Sequence, residues 1–238
     1  MTGGFVSADL RARVRDAAEP YARAIGRTGL TPNHLTLVGF GIAILAAVAA
    51  ATQAWLAAGL LVIFGGVFDL FDGALARATG QASRFGAFMD SVFDRWGESV
   101  IYLGIALGCL AADFGAGALL SGTAMASAFM VSYARAKGES LGFPSGGGLA
   151  NIGLAPREVR IVVLTIALVL VGLNDGIHTV LMYREGYELP LGLYFDMILG
   201  REFLSAGLGL ITILATITTI QRVIHVRNQA AREDETPA

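Results

Sequence analysis

Long apolar runs separated by short polar links dominate the hydrophobic pattern of this chain. A helix needs about 20 mostly apolar residues to cross a hydrocarbon core of about 30 Å. Six runs predict such helices, although the fifth is short unless it begins near Arg157. The runs cover approximately residues 35–54, 55–72, 85–111, 116–133, 161–173 and 203–224. The pattern therefore predicts an all-α, multi-pass membrane protein with six transmembrane helices.

An amphipathic segment precedes the first apolar run. Its apolar stripe recurs at helical spacing and consists of Leu10, Val14, Ala17, Tyr21 and Ile25. This stripe, with arginines beside it, predicts a helix over about residues 5–27 that lies in the membrane interface. A soluble helix packed on its own domain would give the same pattern. We expect a single membrane-embedded domain over residues 1–228, with the six-helix core at 32–228 and a polar, disordered tail at 229–238.

Composition and charge narrow the class of protein. Of the 238 residues, 55% are hydrophobic and 15% are charged, whereas an ordinary soluble domain has about 25% charged residues. The formal net charge of -2 shows no basic excess, so we expect no nucleic-acid partner. The single cysteine, Cys109, excludes an intrachain disulfide or a multi-cysteine metal site.

The basic residues are distributed unevenly along the chain. With six spans, 14 of the 17 Lys and Arg residues would lie on one side of the membrane. Basic residues accumulate on the cytoplasmic side of membrane proteins. The distribution predicts that both termini and the polar links between spans two and three, and between four and five, face the cytoplasm.

Two adjacent predicted helices carry four carboxylates, and ionisable groups inside a membrane are costly and commonly functional. The second helix presents on one face Asp69, Asp72, Gly73, Ala76 and Arg77. The third helix presents on one face Gly86, Asp90 and Asp94. Because a short polar link at residues 79–83 makes the two helices antiparallel neighbours, we expect the carboxylates to converge near the cytoplasmic end.

Such a carboxylate cluster needs a cation, because four like charges at close quarters repel one another. Ligands that are all oxygen favour Mg²⁺ or Mn²⁺, and two such ions can assist displacement at phosphorus. Carboxylates of an ion-coupled transporter would also explain the membrane location. A membrane scaffold is a further alternative. Glu98 continues the stripe of Asp90 and Asp94 by one turn and is predicted to bond to a neighbouring helix.

The spacing of these residues resembles a family signature. The pattern Asp69-x2-Asp72-Gly73-x2-Ala76-Arg77-x8-Gly86-x3-Asp90-x3-Asp94 specifies eight positions over 26 residues and matches that of the CDP-alcohol phosphotransferases. This resemblance implies a phospholipid-synthesising enzyme that transfers a phosphatidyl-type group from a CDP-lipid, usually CDP-diacylglycerol, to an alcohol and releases CMP. It also implies metal binding by the four aspartates, with Asp94 as general base.

The resemblance extends to the donor site. The segment 30–36 is similar to the Pro-Asn-x-x-Thr element that these enzymes carry before their first membrane helix. The implied CDP-lipid-binding residues are Thr31, Pro32, Asn33, His34, Thr36, Asp69, Gly73, Ala76, Arg77, Ser83 and Gly86. His34 and Ser83 could instead cap helices. The family further implies a homodimer in the plasma membrane of a prokaryote, with the active site on the cytoplasmic side.

A basic cluster predicts the acceptor. It lies at the facing ends of the fourth and fifth helices and consists of Arg135, Lys137, Arg157 and Arg160. Arginine binds phosphate as a planar fork, so a phosphorylated alcohol is expected. Residues 132–139 are similar to the Ser-Tyr-x-Lys-Ala-Arg-Ala-Glu region of phosphatidylinositol phosphate synthases, which implies inositol 1-phosphate. Glycerol 3-phosphate, serine and a second lipid alcohol are alternative acceptors, and binding of anionic lipid head groups or topology alone is an alternative role for the cluster.

Overall fold

The described part of the chain is built from helices. The computed structural model describes residue 20 and residues 29–143, 152–174, 176–177 and 199–234. Within these residues there are six long α-helices and no strand. They are α1 Pro32–Ala51, α2 Trp55–Ala78, α3 Arg84–Ala111, α4 Gly115–Ser140, α5 Arg157–Leu173 and α6 Leu199–Asp234. The predicted all-α class is confirmed, and α5 does begin at Arg157.

The first and third helices begin at capping residues. Thr31 and His34 form a capping box at the start of α1, in which the Thr31 hydroxyl accepts from the His34 N–H and the His34 ring accepts from the Thr31 N–H. The Ser83 hydroxyl accepts from the Gly86 N–H at 3.0 Å and caps α3. The N-terminal ends of α1 and α3 both lie at the end of the molecule that carries the carboxylates. The caps therefore set where these two helices begin.

Four helices are long and apolar enough to cross a membrane, namely α1, α2, α4 and α6. The apolar character of α3 is interrupted by Asp90, Asp94, Arg95 and Glu98, and α5 has 17 residues. Many large apolar side chains on the outer surface are exposed, including Leu45, Leu107, Leu119 and Ile213. Such an exposed apolar exterior suits a lipid environment.

Close packing of α1 on α3 depends on small residues. A Cβ on Gly104 would collide with the Ala47 backbone, and a Cβ on Gly108 would collide with the Ala50 carbonyl. Two turns nearer the carboxylates, a Cβ on Gly97 would lie 3.3 Å from the Ala43 methyl. Backbones can approach this closely only where one partner lacks a side chain. We call the contacts of Gly104 and Gly108 with α1 the glycine seam.

The remaining helices enclose one main core. A Cβ on Gly172 of α5 would collide with the Leu56 backbone of α2, while α6 packs on α4 and α5. The core includes the fully buried side chains of Trp55, Tyr102, Leu168 and Leu208. This packing fixes the entrance of α5 beside the carboxylate-bearing halves of α2 and α3.

The two ends of the chain differ in what the structure says of them. The predicted interfacial helix at 5–27 falls outside the described residues, apart from Pro20. The predicted disordered tail is wrong for residues 229–234, because α6 continues through Asp234. The sequence from Gln229 to Asp234 contains no Gly or Pro and includes good helix formers, so the helix extends beyond the apolar run.

Candidate active site

A cavity of about 750 Å³ lies where the carboxylate-bearing halves of α2 and α3 face the start of α5. Its wall includes three of the four predicted carboxylates, Asp69, Asp90 and Asp94. The basic residues on the same wall are Arg95, Arg135, Arg157, Arg160 and Arg222. The helical spacing of the motif thus brings three of its acidic residues to one space, and α3, α4, α5 and α6 add arginines to the same wall.

The fourth carboxylate, Asp72, is buried in the adjoining helix interface. Its side chain is 6% exposed, and its Oδ2 accepts a hydrogen bond from the Thr36 hydroxyl at 3.0 Å. Asp69 and Asp90 are its neighbouring like charges. Thr36, predicted to bind the donor, therefore orients a carboxylate and links α1 to α2.

Arg157 reaches across the cavity from the first turn of α5 and joins two carboxylates on different helices. Its Nη2 donates to Asp69 Oδ2 at 2.7 Å, and its Nη1 lies 3.0 Å from Asp94 Oδ1. The Nε of Arg157 is buried and has no hydrogen-bond partner. The side chains of Arg157 and Asp69 are each 27% exposed, and that of Asp94 is 14% exposed. The guanidinium thus supplies the positive charge that the carboxylates require.

The ligand atoms of this cluster fit a hard divalent cation, because all four candidate metal ligands are carboxylates. Among the described residues no three acidic, His or Cys side chains form a ready-made metal cage. Arg157 lies between Asp69 and Asp94 and acts there as a stand-in cation. The four aspartates therefore have the chemistry that a divalent metal requires. Two of them, Asp69 and Asp94, also contact Arg157.

The residues predicted to bind the CDP-lipid lie near the starts of α1 and α3 and the end of α2. A Cβ on Gly86 would lie 3.3 Å from Asn33 Oδ1 and 3.1 Å from the Ser83 hydroxyl, so these three residues meet. Arg77 is exposed and lies over Gly73, where a Cβ would be 3.4 Å from its Nη1. Pro32 occupies the first turn of α1, and Ala76 lies one turn beyond Asp72. The caps at His34 and Ser83 are observed, and donor binding by this set stays a prediction.

The four residues predicted to bind the acceptor phosphate occupy different environments. Arg135 lines the cavity, and its Nε donates to Glu139 Oε1 at 2.9 Å. Lys137, on the same helix, is exposed and does not line the cavity wall. Arg160 lies at the wall but is only 2% exposed and donates to Glu98 through Nε and Nη2. The predicted interhelical partner of Glu98 is therefore Arg160, and that prediction is confirmed.

Two cavity residues were missed by the sequence analysis. Arg95 contacts Asp94 Oδ2 at 3.2 Å and donates through Nε to the Ser132 hydroxyl on α4 at 3.3 Å. Arg222 of α6 is 4% exposed and donates to the carbonyls of Ile152 and Val131. Arg95 directly follows a motif aspartate, and Arg222 lies near the end of the last apolar run. These two positions could have indicated a role in the site. The same positions are also explained by the preference for basic residues on the cytoplasmic side.

The match to a protein-family model identifies the family of this chain. The family model for CDP-alcohol phosphatidyltransferase matches residues 29–194. The chain belongs to this family. Membership in the CDP-alcohol phosphatidyltransferases makes it a transferase that depends on divalent metal, and it does not favour an ion-coupled transporter.

Curated relatives within the CDP-alcohol phosphatidyltransferases cover most of the chain. The archaetidylinositol phosphate synthase of Pyrococcus horikoshii is 37% identical over 171 residues, which cover 72% of this chain and 86% of the relative. The phosphatidylinositol phosphate synthase of Streptomyces avermitilis is 32% identical over 222 residues, covering 92% and 81% respectively. Both relatives are named as inositol phosphate lipid synthases.

Solved structures of the CDP-alcohol phosphatidyltransferases share the fold. The phosphatidylinositol phosphate synthase of Mycobacterium tuberculosis with CDP-DAG bound has a TM-score of 0.68 at 23% identity, covering 88% of this chain and 92% of that chain. The same enzyme in complex with manganese and citrate has a TM-score of 0.68 at 23% identity, covering 88% of each chain. The described helices therefore adopt the fold of these structures.

Proposed function

We propose that this protein transfers a phosphatidyl-type group from CDP-diacylglycerol to an alcohol hydroxyl, with release of CMP. The observation that carries the proposal is the shared cavity, in which Asp69, Asp90 and Asp94 of the family motif face the cations of other helices. Inositol 1-phosphate is the acceptor we propose, because two curated relatives that cover most of the chain are named as inositol phosphate lipid synthases and the cavity contains arginines.

In this proposal, Asp94 is the general base for the acceptor hydroxyl. It lines the cavity and is 14% exposed, so a substrate in the cavity can reach its carboxylate. Removal of the hydroxyl proton by a positioned carboxylate assists attack on phosphorus. Asp69, Asp72, Asp90 and Asp94 would hold Mg²⁺ or Mn²⁺, which when bound supplies stabilisation of phosphate charge.

The donor's cytidine and phosphates are proposed to bind between the starts of α1 and α3 and the end of α2. Asn33, Ser83 and Gly86 meet there, and the small residues Gly73 and Ala76 leave room for the backbone to be approached. Exposed Arg77 supplies a guanidinium at the end of α2, suited to phosphate oxygens. The remaining proposed members of this donor site are Thr31, Pro32, His34 and Thr36.

The acceptor's phosphate is proposed to bind to Arg135 and Arg157. Both line the cavity that contains Asp94, so a phosphate held there would keep the acceptor within reach of the base. Arg135 uses only its Nε in the ion pair with Glu139, which leaves the terminal nitrogens of its fork for a ligand. A phosphate-binding pair beside a carboxylate cluster explains why cations and anions share this space.

We also propose the membrane arrangement. All six helices would span the membrane of a prokaryotic cell, with both termini and the cavity on the cytoplasmic side, and two copies would form a homodimer. The apolar exterior supports membrane embedding, and the excess of basic residues at the carboxylate end supports the orientation. Reporter fusions at the two termini and in the link between α4 and α5 test this arrangement.

CMP release by the purified protein tests the reaction. We expect release with CDP-diacylglycerol, Mg²⁺ or Mn²⁺, and inositol 1-phosphate. Glycerol 3-phosphate, inositol and serine test the acceptor, and a CDP-linked ether lipid tests the donor. Release with a different acceptor would correct the proposed substrate alone. Absence of release with every donor and acceptor would contradict the proposed reaction.

Substitution of the two cavity arginines tests the phosphate site. Arg135→Ala and Arg157→Ala should each raise the KM for inositol 1-phosphate by at least about tenfold, since each removes a charge-assisted contact. The exposed Arg227 on α6 provides the control, and Arg227→Ala should leave this KM unchanged. Unchanged KM values in both cavity variants would place the phosphate elsewhere.

A further inference from the structure

Two ion pairs connect α5 to the neighbouring helices, one helical turn apart. The outer one joins Arg157 to Asp94 and Asp69, and the inner one joins Arg160 to Glu98. Asp94 and Glu98 are separated by four residues on α3, while Arg157 and Arg160 are separated by three on α5. These spacings place both partners of each pair on the facing sides of their helices.

The inner pair is more deeply buried and has more complete geometry. Glu98 is 5% exposed and Arg160 is 2% exposed. Arg160 donates through Nε to Glu98 Oε1 at 2.8 Å and through Nη2 to Glu98 Oε2 at 2.7 Å. Its Nη1 donates to the Ala155 carbonyl at 3.0 Å. All three nitrogens of the fork are therefore engaged by the protein, and little of the side chain can be reached by a ligand.

The segment that leads into α5 also contacts α6. The N–H groups of Leu154 and Ala155 both donate to the Thr218 hydroxyl at 2.9 Å, and Thr218 is fully buried. Since the Ala155 carbonyl accepts from Arg160, the segment before α5 is fixed between α3 and α6. Arg157 lies in the turn that directly follows this anchored segment.

We propose that Arg160 and Glu98 are positioning residues, whose ion pair sets the rotation and height of α5 so that Arg157 reaches the cavity beside Asp69 and Asp94. Arg160 then affects transfer only through Glu98 and does not bind the acceptor. A planar bidentate pair suits this role, because it fixes both distance and orientation between two helices. A displacement of about 1 Å in a reacting group can reduce a rate about a hundredfold.

A double-substitution cycle tests this inference, which rests on the proposed function for its kinetic readout. Glu98→Gln and Arg160→Gln should each lower kcat by about 10- to 100-fold and raise the KM for inositol 1-phosphate, with the KM for CDP-diacylglycerol unchanged. In the Glu98→Gln background, Arg160→Gln should have no further effect. A further increase in acceptor KM in that background would show direct contact of Arg160 with the acceptor and would overturn the proposal.

Two further variants separate positioning from loss of the fold. Replacing a buried ion pair by apolar side chains commonly preserves folding, so the double variant Glu98→Leu with Arg160→Met should fold and show the same kinetic loss. The conservative Arg160→Lys, which keeps one contact, should recover part of the activity. Wild-type kinetics in the apolar double variant would contradict the proposal. Exposed Glu202 and Arg227 of α6 give matched controls, Glu202→Gln and Arg227→Gln.

Hydrogen exchange supplies a readout that is independent of activity. In each single variant, amide protection in the first turn of α5 should fall several-fold, while Glu202→Gln leaves it unchanged. Unaltered protection in every variant would overturn the positioning role even if the wild-type enzyme transferred no lipid. Absence of CMP release by the wild type, together with reduced protection in the variants, would contradict the proposed function and support the ion pair as the device that places α5.

Discussion

The two halves of α3 differ in how their side chains are held. In the half from Arg84 to Glu98, polar groups line a cavity, and Asp94 shares its contacts with Arg95 and Arg157. In the half from Ser99 to Ala111, Tyr102, Ile105 and Cys109 are buried, and Gly104 and Gly108 touch the backbone of α1. The first half carries partly exposed charges that can bind ligands. The packing of the second half holds the helix, and with it those charges, in place.

This difference assigns separate physical tasks to one helix. A charge that binds substrate must be reachable, so its own contacts contribute little to stability. A close-packed seam has no such requirement and can tolerate few changes of volume. Substitutions in the first half are therefore expected to change activity more than stability, and substitutions in the second half to do the reverse.

Asp94→Asn should produce the largest effect. Asparagine has nearly the same shape but is a poor proton acceptor, so CMP release should fall by about a thousandfold, roughly 4 kcal/mol of transition-state stabilisation. The binding of CDP-diacylglycerol, measured in detergent or nanodiscs, should change little. Asp113→Asn provides the control, because Asp113 is exposed just beyond the other end of α3 and its positive φ is compatible with Asn. Full activity in Asp94→Asn would refute the general-base role.

The motif half of this comparison was largely predictable from the sequence. Spacings of three and four residues put Asp69 and Asp72 on one face and Asp90 and Asp94 on another, and the short link made the helices neighbours. Glu98 followed from the same periodicity. These are local regularities of a helix, which depend on few tertiary contacts.

The partners of these residues could not be predicted, because they come from distant parts of the chain. Arg157 pairs with Asp69 across 88 positions, and Arg222 bonds to Val131 across 91. The bonds of Arg160 to Glu98 could not be predicted either, because the rotation of α5 depends on packing against three other helices. Similarly, the extension of α6 to Asp234 reflects helix propensity beyond the apolar run, where hydrophobic pattern gives no signal.

Gly104→Ala should have the second-largest effect, on stability. The added methyl group would collide with the Ala47 backbone, which cannot move without shifting α1, and overpacking of this kind costs about 1–3 kcal/mol. Thermal unfolding in detergent should show a lower midpoint for the variant. Gly122→Ala on α4, where a Cβ meets nothing within 4 Å, should leave the midpoint unchanged or raise it. Equal midpoints for Gly104→Ala and the wild type would remove the glycine seam as the feature that fixes α3.

Thr36→Val should give the smallest of these effects and tests whether the two halves are fully separate. The substitution removes the hydrogen bond from the Thr36 hydroxyl to Asp72 Oδ2 while keeping the shape of the side chain. A hydrogen bond to a charged group is worth about 1.5–3 kcal/mol, so CMP release should fall by roughly tenfold because Asp72 is less well oriented. Thr123→Val, which removes an exposed hydroxyl bonded within its own helix, is the matched control and should leave CMP release unchanged. If Thr36→Val lowered stability and left transfer unchanged, the contact of Asp72 with α1 would serve the fold alone, as the glycine seam does.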